Sequence, residues 1–353
     1  MSPRPTRRLA AALSALTLAS LALSACATAA PDASATGSSD TDGADLGELT
    51  VQLSWIKNEE FAGEYFADTN GYFTEAGFSS VNLVAGPSTG IPELVGGTAD
   101  VSISNAVAVG AAVANEGAPV KIIGTTLQKN PFTVLSLQEG GDIATADDLK
   151  GKKIGVQDSN LSLFNAFLAA NDVDASELEI VPVQYDPAPL MNGEVDGFMA
   201  YLTNEAISVE QAGLATTNLP FADNGLPFVA ETFTVTDETL ESDREALKAF
   251  LVAEIKGWQD ALADPDEGAR LALEVYGLDL DLDPEKTLAG MLATNALIVT
   301  DETDSNGLFT ISDNLQAETV TSLARAGIEI EAADLFDLSL LAEVYEENPD
   351  LLG

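Results

Sequence analysis

The sequence contains no histidine and only one cysteine among its 353 residues. Without histidine, the chain has no Ser-His-Asp or Cys-His catalysis, no imidazole general base and no histidine ligand for a metal. A single cysteine cannot form an internal disulfide, a thiolate zinc site or a protein-ligated iron–sulfur cluster. We therefore expect no metal site and no cofactor, and any enzyme activity would have to rely on carboxylates.

Positive charge is also scarce, with 15 Lys+Arg against 57 Asp+Glu and a formal net charge of −42. Nucleic-acid recognition needs clustered Lys and Arg to neutralise phosphates, so the composition excludes a nucleic-acid binder that works through a basic surface. It argues equally against docking on an anionic membrane through a basic patch. The 46% share of hydrophobic residues and the length still allow a large core and about two domains.

The N-terminal residues have the pattern of an export signal. A basic segment (1–8) precedes an apolar run (9–25) that is short for a membrane span. The run ends in LSAC, which resembles the bacterial lipobox; by that resemblance, cleavage leaves Cys26 as the lipidated N-terminus. Residues 26–47 are mostly Ala, Ser, Thr, Gly and Asp, which predicts a flexible tether. We expect a signal peptide at 1–25 and a protein held by lipid at the outer face of the cytoplasmic membrane, extracellular or periplasmic.

From residue 49 onward, strand and helix patterns alternate. Strands are predicted at 49–55, 81–86, 100–105, 120–128, 133–137, 152–157, 178–183 and 195–201. Helices are predicted at 60–76, 91–96, 106–116 and 161–171, and past residue 236 at 240–263, 265–276, 284–293, 312–326 and 337–346. This order implies parallel βαβ units in two successive α/β rounds with a helical tail, and hence two lobes around a cleft. The first lobe is predicted at 48–135 plus 235–353, and the second at 136–234.

Ligands of such folds bind at the carboxyl ends of the strands. Trp55 ends the first predicted strand, and Glu205 follows the last one. Trp55 is either a core residue or a platform on which a heterocycle stacks. Glu205 is either an acceptor for an amino-bearing ligand or an ordinary glutamate at a helix start. The loop 86–90 matches G-x-S-x-G, but without histidine it has no standard base; we interpret it as a turn that presents Ser88 and Thr89 to a ligand.

The stretch LSWIKNEEFAGEYFADTNGYFTEAG (53–77) resembles the opening of solute-binding proteins related to the thiamine-pyrimidine-precursor family. The family pattern of W-x-x-N, G-x-Y and G-Y-[YF]-x-x-x-G is matched by Trp55, Asn58, Gly63, Tyr65, Gly71, Tyr72, Phe73 and Gly77. Similar blocks follow in order at 92–104, 148–156, 193–206 and 226–228, so the resemblance covers most of 48–353. The blocks 53–77 and 193–206 are the more specific ones, because DLKGKKIGV is common across periplasmic-type binding proteins.

The resemblance implies an α/β fold of periplasmic-binding-protein type II, in which two lobes capture a small molecule and deliver it to the permease and ATPase of an ABC importer. By position, Trp55 would stack on a heteroaromatic ligand such as a formylaminopyrimidine. The other candidate ligand-binding residues lie on the same segment or on equivalent strand-end loops: Asn58, Phe61, Ser88, Thr89, Ser104, Asn105, Gln128, Tyr201, Asn204 and Glu205. We expect a monomer without enzyme activity.

Two positions depart from the pyrimidine-related members, because Phe61 stands where histidine is frequent and Lys57 stands where proline is usual. Eukaryotic relatives that synthesise the pyrimidine use histidine and a cysteine-rich motif, which this chain lacks. A riboflavin-like heterocycle, an alkanesulfonate or another nitrogenous compound therefore stays open as the ligand. A remote alternative is a secreted enzyme that uses carboxylates alone, which would need paired cleft carboxylates, one with a raised pKa.

Overall fold

The computed structural model of the chain describes residues 45–352. The predicted signal peptide, the predicted lipidation site Cys26 and most of the predicted tether lie outside the described residues. In residues 45–352, no helix combines the length and the apolar character needed to cross a membrane.

Strands form two separate sheets in the described part of the chain. Their bounds are β1 (Gly47–Gln52), β2 (Phe78–Val84), β3 (Val101–Asn105), β4 (Val120–Leu127), β5 (Phe132–Leu137), β6 (Lys153–Gln157), β7 (Glu179–Val183), β8 (Gly197–Tyr201), β9 (Thr216–Pro220) and β10 (Ala230–Thr236). The first sheet has the order β2-β1-β3-β10-β4, and the second has the order β7-β6-β8-β5-β9.

Helices surround both sheets and make up most of the chain after β10. Their bounds are α1 (Ala62–Thr69), α2 (Tyr72–Glu75), α3 (Ile91–Val95), α4 (Ala106–Ala111), α5 (Leu161–Ala170), α6 (Ala188–Met191), α7 (Glu205–Gln211), α8 (Asp237–Ser242), α9 (Arg244–Ala263), α10 (Pro265–Leu271), α11 (Pro284–Ile298), α12 (Asp301–Asn306), α13 (Asp313–Arg325), α14 (Ala332–Leu335) and α15 (Ser339–Glu347). The predicted helix 60–76 is interrupted, because Gly71 adopts a left-handed conformation (φ 78°) between α1 and α2.

The prediction of parallel βαβ units is correct for only part of each sheet. Strand β1 pairs in parallel with β2 and β3, and β6 pairs in parallel with β7 and β8. However, β10 lies antiparallel between β3 and β4, and β5 lies antiparallel between β8 and β9. Strands β9 and β10 were not predicted at all. Two sheets of mixed direction with helices on their faces nevertheless confirm the predicted α/β class.

The chain passes between the sheets twice. It leaves the first sheet after Leu127 and enters the second at Phe132, and it leaves the second after Pro220 and re-enters the first at Ala230. We call residues 132–220 the second lobe, and the first sheet with the helices packed on it the first lobe. The predicted lobe boundaries at 135/136 and 234/235 fall inside β5 and β10, so the sheets place both crossings a few residues earlier.

Helix α9 is held against α1 by contacts that leave no room for a side chain at two glycines. A Cβ atom at Gly257 of α9 would overlap the carbonyl oxygen of Gly63, and one at Gly63 would overlap the indole of Trp258. The two helices therefore approach each other along a stripe without side chains, which fixes the start of α1 and the residues that precede it.

We expect Gly257→Ala to destabilise the protein by about 1–3 kcal/mol, because overpacking a tight contact outweighs the gain in helix propensity. The matched control is Gly268→Ala in α10, where the added Cβ would lie 3.3 Å from the flexible methyl end of Met291 and 3.3 Å from the Cβ of Ala62, much farther than the overlap at Gly257. Urea denaturation measures the free energy of unfolding of both variants. Equal stability of the two variants would contradict the close approach of α1 and α9.

Candidate functional site

A cleft lies between the two sheets and encloses about 500 Å³ of space, part of it open to solvent. The cleft lies at the ends of strands from both lobes. Strands β1, β3, β6 and β8 end at the cleft, whereas the antiparallel strands β5 and β10 begin at it. From the first lobe it is lined by Ser54, Trp55, Glu60, Ser88, Thr89, Ser104, Asn105 and Glu231. From the second lobe it is lined by Phe132, Gln157, Ser159, Asn160, Met199, Ala200, Tyr201 and Glu205.

Trp55 stands in the cleft wall just after β1 and is partly exposed. Its backbone is fixed by the neighbouring loop, because the Gly86 N–H donates to the Trp55 carbonyl at 2.7 Å and the Ser88 N–H donates to the Ser54 carbonyl at 3.0 Å. Part of the ring also packs on the first-lobe core. Trp55 therefore packs on the core and also lines the cleft, and stacking of a ligand on its ring stays a prediction.

The loop 86–90 lines the cleft, but the Ser88 hydroxyl makes its hydrogen bonds within this loop and to the helix that follows it. The Ser88 hydroxyl donates to Glu93 Oε2 at 2.9 Å and accepts from the Gly90 N–H at 3.0 Å. Ser104 donates to the Thr89 carbonyl at 2.7 Å. Asn105 caps α4 by accepting from two backbone N–H groups at 2.9 and 3.1 Å. These contacts give the first-lobe wall a fixed shape.

Three glutamates that are at least 95% buried face this cleft: Glu60, Glu205 and Glu231. Glu60 Oε1 accepts from Asn204 Nδ2 at 2.7 Å and from Asn58 Nδ2 at 3.2 Å. The bond from Asn204 joins the second lobe to the first. Burial and the neighbouring carboxylates of Glu231 and Glu205 hold the pKa of Glu60 well above its usual range.

The other two carboxylates are arranged around Tyr201. Glu205 Oε2 accepts from the Tyr201 N–H at 2.8 Å, and Glu231 Oε1 accepts from the Tyr201 hydroxyl at 2.7 Å. Glu231 Oε2 also accepts from the Ser54 hydroxyl at 2.9 Å, so Glu231 bridges the two lobes. Burial raises the pKa of Glu205 and that of Glu231 to about 7.

Glu231 also has an unusual backbone, with φ at +49° and an irregular register beside it in β10. Such a conformation is rare for residues other than glycine and has to be maintained by the surrounding structure. The hydrogen bonds from Ser54 and Tyr201 hold the Glu231 side chain in place.

A buried ion pair lies behind the carboxylates. Lys286 at the start of α11 contacts Glu59 Oε1 at 2.7 Å, and both side chains are over 90% buried. Burial still raises the pKa of Glu59, although Lys286 opposes the shift. Helix α11 thereby ties the segment that carries Glu59 and Glu60 to the helical tail.

Of the eleven predicted ligand-binding residues, the structure brings seven to the cleft: Trp55, Ser88, Thr89, Ser104, Asn105, Tyr201 and Glu205. Asn58 and Asn204 lie behind it and orient Glu60. Phe61 is 1% exposed and packs in the first-lobe core, and Gln128 donates to the Thr310 carbonyl at 3.0 Å. These two side chains do not reach the cleft, because the turn before α1 and the end of β4 direct them elsewhere. Ligand contact by the other residues stays a prediction.

Sequence reasoning did not find two of the three cleft carboxylates, Glu60 and Glu231. The signal for Glu231 was its position in AETFTVT, where it interrupts an alternating, strand-like stretch. For Glu60 the signal was its place between Trp55 and the helix with the family pattern. A glutamate pair at a helix start is usually solvated, so Glu60 did not stand out.

Two mixed sheets joined by two crossings, with a cleft between them, define the fold class of two-lobed periplasmic-type binding proteins. The nitrate-binding protein NrtA of Synechocystis PCC 6803 has the same fold, with a TM-score of 0.63 and 13% identity, over 87% of this chain and 91% of that one. The model of the NMT1/THI5-like family matches residues 58–268, and the chain belongs to that family.

This chain aligns with about two thirds of the length of its curated relatives. The riboflavin-binding protein RibY of Chloroflexus aurantiacus is 27% identical over 65% of this chain and 66% of its own. A formylaminopyrimidine-binding protein of Halalkalibacterium halodurans is 25% identical over 65% of this chain and 70% of its own. A 4-amino-5-hydroxymethyl-2-methylpyrimidine phosphate synthase of Saccharomyces cerevisiae, THI12, is 26% identical over 62% of this chain and 68% of its own.

Proposed function

We propose that this protein is the extracytoplasmic substrate-binding component of an ABC importer and that it captures a small heteroaromatic molecule. The fold and the family support this proposal, since binding proteins for a flavin and for a pyrimidine are among the relatives. Closure would bring the two lobes together on the ligand, as in other hinge-type binding proteins. The bonds Tyr201–Glu231 and Asn204–Glu60 already join the lobes across the cleft.

The observation that carries the ligand class is the pairing of an aromatic wall with hydrogen-bond acceptors. The Trp55 ring offers a flat apolar surface, and Glu60 and Glu205 offer carboxylate oxygens in the same cleft. Such a site fits a flat ring that carries N–H donors, as an aminopyrimidine does. A formylaminopyrimidine, a precursor of the thiamine pyrimidine, is therefore the first candidate, and a riboflavin-like heterocycle is the second.

The charge of the cleft disfavours an alkanesulfonate or another anion. Among the described residues, no Lys or Arg lies within 4.0 Å of Glu60, Glu205 or Glu231. An anion would have to be desolvated beside three buried carboxyl groups without a compensating cation.

The secreted enzyme that uses carboxylates alone is the second candidate, because the cleft does hold carboxylates with raised pKa. However, both oxygens of Glu231 are engaged by Ser54 and Tyr201, and one oxygen of Glu205 is engaged by the Tyr201 N–H. These bonds suit a positioned acceptor better than a group that must exchange protons in each turnover. Recovery of the ligand unchanged after prolonged incubation supports the binding protein, and a product supports the enzyme.

The remaining parts of the proposal concern the partners. A lipid on Cys26 would anchor the protein as a monomer at the outer face of the cytoplasmic membrane, next to its permease and ATPase. Mass spectrometry of the membrane-extracted protein tests the anchor: an acylated N-terminal Cys26 supports it, and a free N-terminus at another residue contradicts it.

We expect Trp55→Ala to weaken binding of an aminopyrimidine about 10- to 100-fold, because stacking on an aromatic side chain contributes roughly 1–3 kcal/mol per base. Trp55→Phe should recover part of the loss. Calorimetric titration after a thermal-shift screen of aminopyrimidines, thiamine, flavins, alkanesulfonates and polyamines provides the measurement. The control is Tyr185→Ala, an exposed aromatic outside the cleft. Unchanged affinity in Trp55→Ala would remove the stacking role.

A further inference from the structure

The negative charge of the cleft is not balanced by the protein itself. Glu60, Glu205 and Glu231 are 5%, 5% and 4% exposed, and they converge on the segment Tyr201–Asn204. The one buried lysine nearby, Lys286, is engaged by Glu59 at 2.7 Å. Three carboxyl groups thus share a desolvated space without a cation of their own.

Other titratable groups surround these carboxylates. The turn before α1 contributes Glu59, α1 contributes Glu64, β8 contributes the Tyr201 hydroxyl, and α11 contributes Lys286. Of these, only Lys286 carries a positive charge.

Two of the carboxylates that line the cleft each have one oxygen without a hydrogen-bond partner among the described residues. Glu60 uses Oε1 for both of its hydrogen bonds, which leaves Oε2 free, and Glu205 uses Oε2, which leaves Oε1 free. Neither oxygen is completely enclosed by protein within residues 45–352, so each keeps some access to the cleft. An acceptor in so largely desolvated a place is costly unless a donor reaches it.

We infer that the cleft selects a ligand that carries a positive charge, such as an ammonium or amidinium group on the heteroaromatic ring or its substituent, and that Glu60 and Glu205 bind this group. The inference rests on the proposed function and narrows its substrate class, because an aminopyrimidine that carries an ammonium group then replaces the neutral formylaminopyrimidine as the first candidate. A cation supplies N–H donors to the two free oxygens and also the missing positive charge. When the cleft closes empty, protons on the carboxylates take the place of that charge, which agrees with the raised pKa values of all three groups.

Two pyrimidines that differ in one substituent, which is charged in the first and neutral in the second, test the inference. The first is 4-amino-5-aminomethyl-2-methylpyrimidine, whose aminomethyl group is an ammonium at pH 7.5. The second is its N-formyl derivative, in which that group is a neutral amide. We expect the ammonium to bind about 10- to 100-fold more tightly in calorimetric titrations, because hydrogen bonds to charged groups are much the stronger ones in a desolvated site.

Neutralised variants locate the preference. Glu60→Gln and Glu205→Gln keep an acceptor oxygen and the side-chain shape, and each should reduce the preference for the ammonium about tenfold. Circular dichroism checks that they fold, which is expected because each loses an uncompensated buried charge. Glu139→Gln, an exposed acid in the turn after β5 at the far end of the second sheet, is the matched control and should keep the full preference.

The outcomes separate this inference from the proposed function. Equal or tighter binding of the neutral derivative overturns the inference and leaves the proposed function standing. A preference for the ammonium that survives in both glutamine variants also overturns it, because the charge would then be recognised elsewhere. Binding of neither pyrimidine at about 1 mM, which is the range of very weak association, overturns both the aminopyrimidine proposal and this inference.

Discussion

Lys286→Met should destabilise the protein by about 3–5 kcal/mol, because removing one partner of a buried ion pair leaves the other charge without compensation. The partner that remains is Glu59, which is 0% exposed and has one oxygen already without a hydrogen bond. Urea denaturation at pH 7.5 measures the loss. At pH 5 the loss should be smaller, because Glu59 can then take up a proton and become neutral.

Two control variants separate charge from packing. The double variant Glu59→Gln/Lys286→Met removes both charges and should recover most of the stability, since a neutral side chain has no charge to bury. Lys129→Met breaks a pair with Asp223 whose side chains are 52% and 61% exposed, and it should cost less than about 1 kcal/mol. A Lys286→Met variant as stable as Lys129→Met would show that the buried pair does not stabilise the fold.

Raising the pH from 5 to 8 should lower the free energy of unfolding by at least about 3 kcal/mol. One source is Glu64 on α1, which is 1% exposed and whose pKa burial raises to about 8. Glu254 on α9 is also fully buried, and burial together with the Glu64 charge holds its pKa well above the usual range. Both helices meet at this point, and neither oxygen of Glu254 has a hydrogen-bond partner in residues 45–352.

The sign of this pH dependence follows from proton counting. In the folded state Glu64 stays protonated up to about pH 8, and burial also keeps Glu254 protonated above its usual range, whereas in the unfolded chain both lose their protons near pH 4.5. Unfolding between these values therefore releases protons, so each rise in pH favours the unfolded state. The stabilisation is complete below about pH 4.5 and is lost progressively up to the folded pKa. Glu205 and Glu231, with pKa values of about 7, act in the same direction.

Thermal or urea denaturation across this pH range provides the test. The large net negative charge also favours low pH, so a variant has to isolate the buried pair. Glu64→Gln/Glu254→Gln should flatten the curve by about 3 kcal/mol between pH 5 and pH 8. Glu139→Gln, which removes an exposed charge, should keep the original slope. Parallel curves for all three proteins would mean that Glu64 and Glu254 are ionised in the folded state.

The alternation of strands and helices was readable from the sequence because each element has a simple period. Strands such as VNLVAG and KKIGVQ, and helices that end at glycine or begin at Pro265 or Pro284, were found within a few residues. The two missed strands, β9 and β10, have a weaker pattern: β9 ends in proline, and β10 alternates threonine with apolar residues and includes Glu231. Pairing of β10 between β3 and β4 depends on residues far apart in sequence, which no local period indicates.

The sequence predicted only part of the site, as it did for the fold. Residues at strand ends, such as Trp55 after β1 and Tyr201 at the end of β8, could each be placed at the carboxyl edge of their own sheet, because parallel strands end together. Which side chains turn inward depends on packing: Phe61 faces the core, although it belongs to the same segment as Trp55. The buried acids were invisible for another reason, because a glutamate in a sequence carries no sign of whether its charge will be solvated. Only the folded chain brings Glu60, Glu205 and Glu231 together.

The antiparallel pairing of β4 with β10 sets Leu127 opposite Ala230. Neighbouring strands of this kind lie only about 5 Å apart, so the two ends of the intervening chain are fixed side by side. In connectivity, the second lobe is an insertion into the first, and the two ends of the insertion are adjacent. Relatives could exchange this insertion without altering the connectivity of the first sheet. Half of the cleft lining would then change, while Trp55, Glu60 and Glu231 stayed in place.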